Sequence, residues 1–287
     1  VRKTSLILVY GPLLAFLALF ALVPIVGVIF SSVWARGMTA EFYAQSLSGQ
    51  YLNAFLTTLK VAFWSGLAGL AGGGLVALSL WRTRWRWLTT TISALSGVLA
   101  NFAGLPLAVA FMVTLGASGL MTNALQTFLH INLSQMGFNL SSSAGLILVY
   151  SAFQVPLALL VSLPAFSSIP DDLEGAALSL GCGVPGYLWR VLLPILAPSL
   201  LGTFALLFAN AFSAYVTAYA IAGGSINLIP IQIGYLIDGN VSLNVGLGNA
   251  LAVEEMVVLG ASLWVFAMSV RLRAKRRANV KGGLPIV

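Results

Sequence analysis

Hydrophobic residues in this chain fall into six long runs joined by short polar connections. The runs cover about residues 6–33, 53–80, 88–115, 144–163, 195–222 and 251–270. A helix crosses the ~30 Å hydrocarbon core of a bilayer with about 20 apolar residues, and every run reaches that length. None shows the alternation of a barrel strand. The pattern predicts an all-α integral membrane protein with six transmembrane helices in a single domain over 1–287. The first run is too long for a signal-peptide core, and no small-x-small cleavage site follows it, so it reads as a retained helix. Gly66, Gly69 and Gly72 to Gly74 give the second run a small-residue face, the kind at which helices pack closely. Pro24, Pro106 and Pro156 are expected to kink their helices.

Composition agrees with the pattern. Of 287 residues, 59% are hydrophobic and 7% charged, and the mean hydropathy is +0.98. A soluble domain carries about 25% charged residues, so lipid must be the main solvent here. The net charge of +7 would suit nucleic acid. However, six of the fourteen Lys/Arg residues lie between Arg271 and Lys281, directly after the last apolar run. That is a basic juxtamembrane tail, 271–287, and no nucleic-acid partner is expected. The single cysteine, Cys182, excludes an internal disulfide and a cysteine-based metal cluster. His130, the one histidine, has no metal-ligand spacing around it.

Charge also sets the orientation. Arg2 and Lys3 precede the first run, Arg82, Arg84 and Arg86 separate the second and third, Arg190 lies between the fourth and fifth, and the tail follows the sixth. With the N-terminus inside, these all face the cytoplasm, leaving Arg36 and Lys60 on or near the other side. The positive-inside rule therefore places both termini in the cytoplasm. Trp81, Trp85 and Trp87 sit among the inner arginines, where interfacial aromatics belong. The outer loops, about 116–143 and 223–250, are polar and nearly uncharged.

In that orientation residues 164–194 form the longest cytoplasmic loop. Its core, 171–194, reads DDLEGAALSLGCGVPGYLWRVLLP and holds three of the seven acidic residues. Two short helices are expected. Pro170 suits a first helical position, and Asp171, Asp172 and Glu174 favour the positive end of the helix dipole. Gly181 suits a left-handed stop. Pro185 then opens a second helix, and Pro194 and Pro198 mark entry into the fifth span. Gly175, Ala176 and Ala177 form a small-residue patch that lets a partner backbone approach closely.

These residues carry a resemblance. The loop resembles the EAA loop of permease subunits of type I binding-protein-dependent ABC importers. That pattern is Glu-Ala-Ala, three residues, Gly, nine residues, then Ile-x-Leu-Pro. Here Gly175-Ala176-Ala177 is followed after three residues by Gly181, and after nine more by Val191, Leu192, Leu193 and Pro194. One position departs from the family: its glutamate position is Gly175, and Glu174 stands one residue earlier. The layout of six spans, with the loop between the fourth and fifth, is also similar.

The resemblance implies the type I importer permease fold in a bacterial cytoplasmic (inner) membrane. It implies a channel-forming subunit that is not itself an enzyme, with Asp171, Asp172, Glu174, Gly175, Ala176, Ala177, Gly181, Leu193 and Pro194 coupling it to a cytoplasmic ATPase dimer. Further partners implied are a second permease subunit, the same chain or a related one, and an extracytoplasmic solute-binding protein. ATP and Mg belong to the ATPase. No lysine in this chain follows a glycine, so it has no Gly-Lys-Ser/Thr phosphate loop, and no cofactor or metal is expected on it.

Candidate cargo contacts come from polar residues at depth. Asn101, Gln154 and Asn210 lie near the midpoints of their spans, where an amide must find a partner in the bundle or face water. They either form interhelical hydrogen bonds or line a translocation path. Tyr215 and Tyr219 either line the outer half of that path or anchor the interface. Glu254 and Glu255 are expected about one turn inside the sixth span. Intramembrane carboxylates are functional candidates, and an acidic outer mouth would attract a cation; the alternative is that both are solvated. The overall pattern resembles permeases for polyamines, iron and related small solutes, which together with the carboxylates points to a polyamine or other organic cation. Two other classes remain. An ion-coupled secondary transporter would show internal repeats and would have no use for the loop. An intramembrane enzyme would need a catalytic pair at depth.

Overall fold

The computed structural model describes residues 10–13, 15–34, 38, 40–83, 85–131, 135–170, 172–238 and 244–282, with side chains as far as Leu272. Arg2, Lys3, Arg36, Arg84 and Asp171 lie outside the described residues, as do the tail side chains beyond Leu272. Among the described residues the chain is helical, and no strand longer than a single bridge between Trp34 and Met38 forms. The helices are α1 (Tyr10–Val33), α2 (Glu41–Ser46), α3 (Gly49–Thr83), α4 (Arg86–Asn101), α5 (Leu105–Leu115), α6 (Leu120–Leu129) and α7 (Ser143–Phe166). They continue with α8 (Asp172–Ser179), α9 (Val184–Tyr187), α10 (Leu193–Phe212), α11 (Tyr215–Ala222), α12 (Ile229–Asp238) and α13 (Val245–Gly282). A wider helical turn, Leu188–Leu192, runs α9 into α10. Six stretches are long and apolar enough to cross a membrane: Tyr10–Val33, Gly49–Thr83, Leu105–Leu129, Ser143–Phe166, Val184–Phe212 and Val245–Leu272. Helix is the expected state, because an apolar segment in lipid must satisfy its own backbone groups.

The chain divides into two compact units, and the division falls inside α3 and α13. The first comprises residues 1–56 and 227–257. Its core gathers Ala54, Ile229, Leu236, Leu247 and Leu251, with Phe42, Tyr51, Phe55 and Ile233 packed around them. Asn227 ties α3 to the residues before α12 by donating its amide to the Gln50 carbonyl at 2.6 Å. The Ser32 and Tyr43 hydroxyls share a hydrogen bond of 2.7 Å.

The second unit, residues 57–226 and 258–287, is built on α7, which packs against α4 and α10. Ser142 caps α7, its hydroxyl accepting from the Gly145 amide at 3.2 Å. Alongside lies α3, and here the small-residue face has its use. A Cβ at Gly69 would lie 2.6 Å from the Gln154 Cβ, and one at Gly72 would lie 2.8 Å from Val155 Cγ2. Only hydrogen fits at these positions, so the two backbones approach as closely as small residues allow.

Two expected spans are interrupted. The run expected at 88–115 consists of α4 and α5, separated by Phe102, Ala103 and Gly104. Gly104 has φ 83 and ψ −146, a conformation open essentially to glycine alone. Pro106 therefore does not kink a continuous helix but stands in the first turn of α5, where its missing N–H costs nothing. The run expected at 195–222 breaks at Ser213–Ala214 between α10 and α11. Side chains of neighbouring helices satisfy both breaks. The Gly104 amide donates to Thr217 Oγ1 at 2.9 Å, and the Thr217 hydroxyl lies 3.3 Å from the Gly104 carbonyl. Tyr150, buried on α7, donates its hydroxyl to the Ala214 carbonyl at 2.7 Å. Hydropathy sees none of this, because breaks of two or three uncharged residues do not interrupt a long apolar run.

Candidate functional site: the segment between α7 and α10

After Phe166 the chain turns sharply, with the Ser167, Ser168 and Ile169 amides donating back to the carbonyls of Leu163, Ala165 and Phe166. Helix α8 begins at Asp172, with Asp172 and Glu174 in its first turn, where carboxylates offset the positive end of the dipole. It ends as expected, on a left-handed glycine: Gly181 has φ +78. Its amide donates to the Leu178 carbonyl at 3.0 Å, and the Cys182 amide donates to the Ala177 carbonyl at 3.1 Å. This pair of bonds is the Schellman stop, which uses the last helical carbonyls and turns the chain sharply. Pro185 then stands in the first turn of α9.

This helix–turn–helix is anchored from beneath. Ala177, Ile169, Tyr187, Leu192 and Leu196 join Ala77 and Leu80 of α3 and Phe166 of α7 in one buried cluster. Tyr187 is 1% exposed, and its hydroxyl has no hydrogen-bond partner among the described residues. At the rim, Arg82 of α3 donates to Glu174 Oε1 at 2.7 Å, an ion pair between residues 92 apart in sequence.

The opposite face is open. Gly175 and Ala176 are exposed, and a Cβ at Gly175 would meet nothing within 4 Å. Leu180 is 88% exposed and Trp189 72%, with Leu178 and Val184 exposed beside them. Asp172, Gly181, Leu193 and Pro194 are exposed as well. The residues singled out in sequence thus separate into an anchored set, Glu174 and Ala177, and an outward set, Asp172, Gly175, Ala176, Gly181, Leu193 and Pro194. Sequence inspection missed Arg82 as a partner of Glu174 and Trp189 as the largest exposed side chain of the surface.

The candidate cargo residues are scattered more widely. Gln154 is fully buried and donates to the Leu207 carbonyl of α10 at 2.9 Å, an interhelical hydrogen bond. Asn101 and Asn210 are exposed and flank the two helix breaks, Asn101 donating to its own Gly97 carbonyl at 2.8 Å. Tyr215 and Tyr219, on α11 just past its break, stack with ring centroids 5.4 Å apart. Glu254 accepts a hydrogen bond from the Ser46 hydroxyl, and both Glu254 and Glu255 are half-buried. Helix α13 begins earlier than expected, at Val245, because Asn244 caps it: the Asn244 side chain accepts from the Leu247 amide at 3.2 Å. Glu254 therefore lies nine residues into the helix, about 14 Å along its axis rather than one turn.

Comparison with known proteins places this geometry. Residues 65–274 match the family described as the binding-protein-dependent transport system inner membrane component. The spermidine/putrescine transport system permease protein PotC of Haemophilus influenzae is 24% identical over 234 residues, 81% of each chain. The thiamine transport system permease protein ThiP of Brucella suis is 25% identical over 66% of this chain and 40% of its own. The sulfoquinovosyl glycerol transport system permease protein SmoH of Agrobacterium fabrum is 34% identical over a third of each chain. The alignments thus span a third and two-fifths of the lengths of SmoH and ThiP. Among solved structures, a bacterial ABC transporter involved in the import of the acidic polysaccharide alginate superposes with a TM-score of 0.70. It shares 18% identity and covers 94% of this chain and 96% of its own. The MetNI methionine ABC transporter, at 20% identity, superposes with a TM-score of 0.55 over 77% of this chain and 95% of its own. The family match covers well over half of the chain and the fold agrees over 94% of it: the chain belongs to the inner-membrane components of binding-protein-dependent transport systems, a multi-pass inner-membrane protein with the fold of an ABC importer permease.

Proposed function

We propose that the chain forms half of an importer's translocation pathway and is driven through the α8–α9 segment by a cytoplasmic ATPase dimer that binds the ATP and Mg. A second permease subunit, a copy or a relative, forms the other half. An extracytoplasmic binding protein delivers the solute to the outer loops. Both termini and the α8–α9 segment face the cytoplasm in this reading, which the distribution of basic residues supports. Family membership favours this reading over an ion-coupled carrier or an intramembrane enzyme.

The observation that carries the proposal is the two-sided build of the segment. Ala177 and Tyr187 lock the segment into the α3–α7–α10 cluster, while Gly175, Ala176, Leu178, Leu180 and Trp189 stay exposed. Exposed apolar side chains around a patch of small residues suit a protein partner. A short helix with a firm base transmits a push, whereas a mobile loop would absorb it. Alternating access follows when closure of the ATPase pair moves two such segments and the helices behind them.

The cargo is a small organic cation, polyamines being the leading class. Glu254 and Glu255 lie well inside a span-length helix with no basic side chain within ten residues on either side in sequence. Two of the relatives are named for spermidine/putrescine and for thiamine, both organic cations.

Capture of the tagged chain from native membranes tests the motor reading. The eluate should hydrolyse MgATP, and a photo-crosslinker at Leu180→Cys, in a Cys182→Ser background, should label the hydrolysing subunit. Purification without any ATPase activity, or labelling of Leu180→Cys only by reagents added from the outside, overturns it.

A further inference from the structure

Glu174 stands one residue before the family's glutamate position, and the two positions point differently. A residue at 175 faces open space, where a partner could reach it. Glu174 is half-buried and turned to the flank, and its carboxylate receives the Arg82 guanidinium at 2.7 Å. Adjacent helical residues differ by ~100° in direction, so one step in sequence moves the carboxylate from the docking face to the flank. Arg82 closes the last turn of α3, the helix whose glycines pack it against α7. The chain reaches α8 from the end of α7 through residues 167–171. Helix α8 is therefore held to both members of one close-packed helix pair, covalently to α7 and electrostatically to α3.

We infer that Arg82 is a positioning residue. Its ion pair with Glu174 latches α8 to α3, so that a push on α8 reaches α3 directly and not only through the turn after α7. This rests on the proposal that α8–α9 is where the ATPase docks, and it deepens that proposal by assigning Glu174 inside the permease rather than to the ATPase. The side chains are 39% and 28% exposed. A pair this exposed adds little to stability, so its value lies in setting where α8 points. Charge-assisted Arg–carboxylate bonds are short and directional enough to do so.

The test uses the chain in complex with its captured ATPase, before and after trapping with ATP and vanadate, and reads backbone hydrogen exchange in α8 and in the last two turns of α3. In the wild type, trapping changes exchange in both helices. In Arg82→Gln the α8 response persists while the α3 response falls at least threefold. The swap Arg82→Glu with Glu174→Arg restores it, which a merely structural loss at either site would not. An Arg82→Gln complex whose α3 responds like the wild type, or a swap that rescues nothing, overturns the latch and leaves the docking proposal standing. A wild-type chain that captures no ATPase overturns the docking proposal, and the latch falls with it.

Discussion

At Gly73, α3 and α7 approach so closely that a Cβ would lie 2.5 Å from the Ala158 Cβ and 2.7 Å from the Leu159 amide nitrogen, while at neighbouring Gly74 it would meet nothing within 4 Å. Forcing an atom into the first site must move a backbone, since neither obstacle is the end of a flexible side chain. Overpacking of this kind costs about 1–3 kcal/mol. Gly73→Ala should therefore lower stability by that amount in denaturant titrations of the detergent-solubilised protein, while Gly74→Ala stays close to neutral. Equal effects at the two positions would contradict the packing described. The run of glycines was visible in sequence as a small-residue face. Which of them touch α7 was not, because five glycines look alike until a second helix is laid against them.

At the scale of elements, the informative features are the breaks between α4 and α5 and between α10 and α11. A break inside an apolar run frees backbone groups that lipid cannot satisfy, so it persists only where other groups compensate. Here Thr217 bonds the Gly104 backbone and Tyr150 bonds the Ala214 carbonyl. Tyr150→Phe leaves that carbonyl without its phenol donor, and the expected cost is about 1–3 kcal/mol in the same titration. Thr217→Ser keeps the hydroxyl and should cost much less than Thr217→Val. A Tyr150→Phe protein as stable as the wild type would show that the break does not depend on this bond. A Gly two residues before a Pro, as at Gly104 and Pro106, is the one sequence signal that marks the first break. The second, at Ser213–Ala214, has no such punctuation and was not readable from the chain.

At the scale of the whole molecule, the question is what the pathway selects. If Glu254 and Glu255 meet a cationic cargo, Glu254→Gln with Glu255→Gln should reduce putrescine uptake by whole cells at least tenfold, about 1.4 kcal/mol or more of lost attraction. Glutamine at 254 keeps an acceptor for Ser46, so the loss would report charge rather than a broken contact. Unchanged uptake of putrescine, spermidine and thiamine by a chain that still drives ATP-dependent import would end the cation proposal. Membrane class and the six apolar runs could be read from the sequence alone, because apolar length against bilayer thickness is a local property that each segment carries independently of the others. The helix–turn–helix between α7 and α10 was legible for a similar reason, since an acidic first turn and a glycine stop both act within a few residues, although α8 begins at Asp172 and not at Pro170. Only the tertiary structure decided where the spans break, which glycines touch, and that Glu174 pairs at the flank with Arg82, 92 residues away. Each of these depends on which groups meet across long stretches of chain, and no local pattern carries that information.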